Sequence, residues 1–144
     1  MSKIGYSPSL PLIYDIESGP YDMLGTLEGI IKQNLKMLLL TSPGERIMMP
    51  DYGVGLKNYL FSHNTITTKE DIRSKIIQQV SIFMPFLENI DIVIQDTSAE
   101  ESHAISIIVS FFVGPIEKQG YVELILSPNI NSSNEIKSIL DQKI

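Results

Sequence analysis

Two kinds of side chain in this 144-residue sequence could do chemistry, the carboxylates and the two histidines. Glycoside hydrolysis needs two carboxyl groups facing one another across a cleft, roughly 5–10 Å apart, one as acid and one as base or nucleophile. Glu28, Glu45, Asp51, Glu88 and the adjacent Glu100 and Glu101 are the candidates. Glu28 falls in the first turn of a predicted helix, where an acid suits the dipole. Glu100 and Glu101 fall in a hairpin loop, where a charged pair is ordinarily just solvated. Glu45 and Asp51 are close in sequence, but Arg46 is the natural partner of Glu45 and Asp51 suits a turn cap. His63 and His103 lack the spacing of metal ligands. With no cysteine there is no thiol nucleophile, thiolate zinc site or disulfide. The Gly53-Val54-Gly55 triplet lacks the third glycine of a dinucleotide loop and follows no strand. No catalytic, cofactor-binding or metal-binding residue is assigned, and no cofactor or small-molecule substrate is expected.

Composition narrows the partners. Hydrophobic residues make up 43% of the chain, enough for a packed core. The net charge of -6 disfavours nucleic acid, which needs a basic face, and an anionic membrane surface. No apolar run reaches the roughly eighteen residues that a transmembrane helix requires. The N-terminus, MSKIGYSPSLPLIYD, has one lysine and an apolar run broken by Pro8 and Pro11, which is not a signal peptide. The expected setting is a cytoplasm.

Residues 1–25 hold Pro8, Pro11, Gly19, Pro20 and Gly25, so no long helix fits there. They are expected to form an extended arm, in which Leu12-Ile13-Tyr14 makes a short edge strand or an apolar clamp. The arm lies on the core or docks on a partner. Thr26 is the expected cap of a first helix over 26–41, with Leu27, Ile30, Ile31, Leu35, Leu38 and Leu39 in one stripe. A second helix is expected over 67–84. Its capping box is Thr67 with Glu70, and its buried stripe is Ile72, Ile76, Val80 and Phe83 with Ile77 alongside. Arg73, Lys75, Gln78 and Gln79 form its wet face. Three strands of period two follow, Leu87–Gln95, His103–Val113 and Tyr121–Leu126, joined by loops short enough for antiparallel hairpins. Ser132 and Glu135 match a further capping box, which predicts a short C-terminal helix within 129–144. The fold class is therefore α+β in two layers: a three-stranded antiparallel sheet covered by two long helices, with the domain proper over 26–128.

The stretch Leu38–Phe61, LLLTSPGERIMMPDYGVGLKNYLF, joins the two helices and is the densest in special backbone residues. Its glycines permit positive φ and close approach by another chain. Glu45 and Arg46 read either as a turn with a local salt bridge or as a turn whose Arg46 fork fixes the turn or a partner's carboxylate.

This stretch resembles the signature of the phage baseplate-wedge family, called lysozyme-like by name: Thr-x-x-Gly-Glu-Arg, a proline, aromatic-Gly-x-Gly-Leu, then Leu-Phe. The resemblance runs from about Thr26 to Ser127, and Gly19-Pro20-Tyr21 and Gln33-Asn34 are also similar to phage members. It implies a structural subunit of a contractile tail, sitting in the virion baseplate beside the core bundle and templating the first sheath ring. Implied partners are other wedge proteins and the tail sheath protein, which adds a strand to the sheet edge. The third strand is the candidate edge, with Tyr121, Glu123 and Ile125 on it; by order alone the first strand is the alternative. Further candidate partner-binding residues are Gly44, Glu45, Arg46, Pro50, Tyr52, Gly53, Gly55, Leu60 and Phe61. Where family members carry Glu-Pro-Arg after the second helix, this chain has Met84-Pro85-Phe86. That departure implies an apolar contact by Met84 and Phe86, with Glu88 as an imperfect substitute for charge. Three other readings stay open, a type VI secretion baseplate subunit, a peptidoglycan-cleaving enzyme and a generic adaptor domain that binds peptides by its sheet edge.

Overall fold

Prolines keep the start of the chain extended, and there it folds back on itself. In the computed structural model, which describes residues 5–14, 20–62, 65–99 and 102–126, strand β1 (Ser7–Pro8) pairs antiparallel with β2 (Met23–Leu24). Leu12, Ile13 and Tyr14, expected as an edge strand or clamp, form no strand and are more than half exposed. The ribbon is tied to the next helix by Gln33, whose amide donates to the Pro8 carbonyl and accepts from Leu10 N–H.

Helix α1 (Leu27–Leu40) starts at Thr26, whose hydroxyl accepts from Gly29 N–H at 3.2 Å and satisfies one orphan donor of the first turn. Leu35, Leu38 and Leu39 are fully buried, but Leu27, expected in the same stripe, is 53% exposed. The apolar face of α1 meets the core from Ile31 onward. Helix α2 (Ile66–Phe83) buries Ile72, Ile76 and Val80, while Ile77 faces outward. Its cap is not Thr67 but Thr65, whose hydroxyl accepts from Thr68 N–H at 3.2 Å. The helix therefore begins earlier than the Thr67–Glu70 pattern suggests, and no acid lies in its first turn.

Strands β3 (Leu87–Ala99), β4 (Ser102–Val113) and β5 (Lys118–Leu126) form one antiparallel sheet in the order β3-β4-β5. The hairpins are tighter than expected. Pairing of β3 with β4 continues out to Ala99 and Ser102, and the second connection is a single 3₁₀ turn, Gly114–Ile116. Polar residues such as Asp96 and Ser98 look like loop but stay in the ladder, because backbone pairing does not depend on side-chain polarity. Ile107, Val109, Phe111 and Val113 of β4, with Val122, Leu124 and Leu126 of β5, face the helices and are buried, as their alternation predicts. In β3 the register shifts between Glu88 and Asp91, with Asn89 at φ +50°. This bulge inserts a residue, so Leu87 and Ile92 both point inward although their positions differ in parity. Helices α1 and α2 cover this face and the opposite face carries Val93, Ile108, Tyr121, Glu123 and Ile125. The helix expected within 129–144 lies outside the described residues.

Candidate assembly surface

A helix leaves its last four carbonyls without intrahelical partners. In α1 the stretch that follows supplies partners for two of them, Met37 and Leu38. Thr41 donates to the Met37 carbonyl from both its N–H and its hydroxyl. The chain then makes a tight excursion over Ser42–Tyr52 and returns, so that Val54 N–H reaches the Leu38 carbonyl at 3.0 Å and Gly55 N–H the Thr41 carbonyl at 2.9 Å. The return is possible only with glycine at position 53. Its φ is +110°, and a Cβ there would lie 2.2 Å from the Thr41 carbonyl oxygen. Val54 and Leu56 then plug into the core. Gly53 and Gly55 are themselves buried, and atoms of this chain, from Thr41 and from Ser42, Pro43 and Asn58, make the close approach to them.

The excursion is braced from several sides. Gly44 N–H donates to the Pro50 carbonyl at 2.8 Å and closes its base. Gln79 of α2, expected on the wet face, accepts from Gly53 N–H at 2.9 Å and donates to the Asp51 carbonyl at 3.0 Å. Nothing in the local pattern around Gln79 announces that role. Glu45 and Arg46 do not pair with each other. Glu45 accepts from Ser42 N–H at 3.1 Å, and the Arg46 guanidinium lies 3.8 Å above the centre of the Tyr52 ring. Tyr52 in turn meets Phe83 of α2 edge-on, with ring centres 4.9 Å apart. The braced excursion holds three apolar side chains in solvent: Ile47 and Met48 are more than nine-tenths exposed and Met49 about half. These three were not singled out from sequence, where an apolar triplet reads equally well as core.

The other expected contact residues are scattered. Leu60 and Phe61 end a 3₁₀ helix over Leu56–Phe61, and their side chains lie outside the described part. Met84 is buried in the chain's own core at 5% exposure, because the end of α2 turns it under the sheet. Of the expected apolar pair this leaves Phe86 at the surface, 38% exposed beside the exposed Pro85. Tyr121 and Ile125 are exposed on the outer face of β5, with Lys32 Nζ 5.8 Å from the Tyr121 ring centre, while Glu123 is half-buried and accepts from the Ser106 hydroxyl.

Because β4 is central, β3 and β5 are both edges among the described residues. They are not equivalent. The Arg73 guanidinium donates to the Ile92 carbonyl at 2.9 Å and so takes up hydrogen-bonding capacity on the β3 backbone. Lys69 pairs with Asp96 at 2.8 Å on the same strand, and the bulge twists its beginning. Bulges and charged side chains are devices that blunt an edge.

The chain matches the family described as Baseplate wedge protein gp25 over residues 26–113, well over half its length. The chain belongs to this baseplate wedge family. The match begins at the Thr26 cap and ends with the last residue of β4. Similar solved structures share the fold. A protein described as a tail lysozyme, from Geobacter sulfurreducens, is 22% identical with a TM-score of 0.64, covering 77% of this chain and 99% of that one. A chain of the type VI secretion system baseplate complex is 14% identical with a TM-score of 0.56, covering 68% and 90%. A chain of the anti-feeding prophage baseplate is 21% identical with a TM-score of 0.53, covering 90% of each. No curated protein matches the chain.

Membership makes the chain a baseplate structural protein, located in the tail baseplate of a phage or phage-like particle. The word lysozyme belongs to the description of one neighbour. Glu28 is bound to Lys32 at 2.8 Å, and that hydrogen bond and charge hold its carboxyl below the usual range. Glu45 is spent on a backbone amide, and Glu100 and Glu101 lie outside the described residues, as does His63. A shallow groove of about 200 Å³ between α2 and β3 is lined by Ile66, Lys69, Glu70, Arg73 and Ile94, with one carboxylate among them. Among the described residues no group of three or more acids and histidines could hold a metal ion. Among the described residues no helix is long and apolar enough to cross a membrane.

Proposed function

We propose that this chain is the wedge subunit that attaches to the wedge core of a contractile phage tail and initiates its sheath. The observation that carries the reading is the inequality of the two sheet edges in a member of the baseplate wedge family. With Arg73 and Lys69 engaged on β3, β5 is the edge on which a sheath chain adds its strand, and Tyr121, Glu123 and Ile125 are the side chains beside that junction. Arg46, Tyr52 and the rest of the braced excursion, with Phe86, face the wedge neighbours. The subunit is made and incorporated in the host cytoplasm, and it needs no nucleic acid, membrane or small molecule.

Deleting the gene and imaging the particles tests this. Tails without the chain should keep tube and baseplate parts but carry no organised sheath, and supply of the chain in trans should restore it. Sheaths of normal length in its absence would sink the assignment. The likeness to a type VI secretion baseplate chain supports a second reading, a secretion baseplate subunit; flanking capsid genes would exclude it. A cell-wall turbidity assay disposes of the enzymatic alternative if the purified chain clears nothing. Clearing that is lost on Glu45→Gln would overturn the structural reading.

A further inference from the structure

Apolar side chains left in water are ordinarily scattered singly, and a contiguous group on a rigid support marks a contact. Ile47 and Met48, at 93% and 94% exposure, form the most solvent-exposed apolar pair among the described residues, with Met49 beside them at 48%. Their support does not bend freely. Hydrogen bonds from Gly44 to Pro50, Met49 to Arg46 and Tyr52 to Met49 close the excursion, and Gln79 clips its return limb. A tip already fixed in shape loses little conformational freedom on binding.

Arg46 says what kind of surface the tip meets. It is half-buried, with its guanidinium over Tyr52, and among the described residues it has neither an ion pair nor a hydrogen bond through its side chain. A guanidinium offers five donors in a planar fork suited to a carboxylate, and here they stand unspent at the base of an apolar tip. Arginine and methionine are both enriched where interfaces are fully buried. A second copy of this chain is disfavoured by its net charge of -6, and an anionic bilayer by that charge and by Glu45 and Asp51 flanking the tip.

We propose that Ile47 and Met48 insert into an apolar pocket on a different protein of the baseplate, with a carboxylate at the pocket rim that pairs with Arg46. This rests on the baseplate reading above and adds the chemistry of the partner's site.

The test is made in assembled particles. The photo-reactive residue p-benzoylphenylalanine is placed at position 48 and, as a control, at the exposed position 78 of α2. Irradiation should link position 48, and not position 78, to one protein of different sequence, at a peptide that includes an aspartate or glutamate. Met48→Asp should lower the amount of chain incorporated on the order of tenfold, as loss of a central contact does, with the melting temperature of the isolated chain unchanged. Arg46→Glu should lose incorporation and regain it when the mapped carboxylate is changed to lysine. A link to a second copy or to lipid, equal linking from position 78, or no link while the chain is present overturns the proposal and leaves the baseplate reading standing. Absence of the wild-type chain from purified particles overturns both.

Discussion

At the scale of single residues, two glycines in one excursion separate backbone strain from steric exclusion. Gly44 has φ +89° with open space where a Cβ would go, whereas Gly53 has φ +110° and a carbonyl oxygen 2.2 Å from that position. Gly44→Ala should cost about 1–2 kcal/mol, the price of a left-handed residue with a Cβ. Gly53→Ala should cost about 2–5 kcal/mol, because the Thr41 carbonyl that caps α1 must also move. Chemical denaturation of both variants checks this, and equal losses would show that the clash at Gly53 relaxes freely. The need for glycine at position 53 was legible in the sequence, but its cause was not. A Gly-x-Gly triplet signals close approach without saying by which atoms, and the approaching atoms come from the chain's own helix end. The same limit applies to Glu45 and Arg46. Adjacent opposite charges suggested a pair, yet neighbours in a turn point apart, and each found a better partner in Ser42 N–H and the Tyr52 ring.

At the scale of elements, periodicity carried furthest where one face is wholly buried. The alternation of β4 and the stripe Ile72, Ile76, Val80 of α2 were legible because a slip of one residue would expose each set. Element ends were less legible, and α2 shows why. Thr65, Thr67 and Thr68 can each offer a cap oxygen, and Glu70 drew attention to Thr67 through the capping-box spacing. The observed start depends on where the chain arrives from the 3₁₀ helix, which is tertiary information. Thr65→Ala should therefore destabilise the protein by about 1 kcal/mol, the usual worth of a cap. Thr67→Ala, inside the first turn, should change stability by less than about 0.5 kcal/mol. Thermal unfolding of the two variants decides, and the reverse order would restore the later start. The bulge at Asn89 is the other element-level feature hidden from a period-two reading. Asparagine tolerates positive φ better than most residues, so its presence was a weak signal of it.

At the scale of the whole molecule, folding and assembly use different parts of the chain. Every buried hydrophobic residue among those described lies between Leu35 and Leu126, so none of the described residues among the first 25 belongs to the buried core. The β1–β2 ribbon is held to α1 through the Gln33 side chain, at an exposed site, while Tyr6, Leu12, Ile13 and Tyr14 stay in solvent. Exposed hydrogen bonds of this kind contribute at most about 1 kcal/mol each. A chain lacking residues 1–20 should therefore unfold cooperatively, with a melting temperature within about 8 °C of the full chain, the shift that the roughly 2 kcal/mol of two such bonds makes at this size. If the exposed aromatic and aliphatic groups of the arm serve a neighbour, the same truncation should reduce incorporation into particles far more than it reduces stability. Loss of a single cooperative transition, or a drop of ten degrees or more, would instead make the arm part of the fold, and its apolar residues would then act through contacts with α1 and not with a partner.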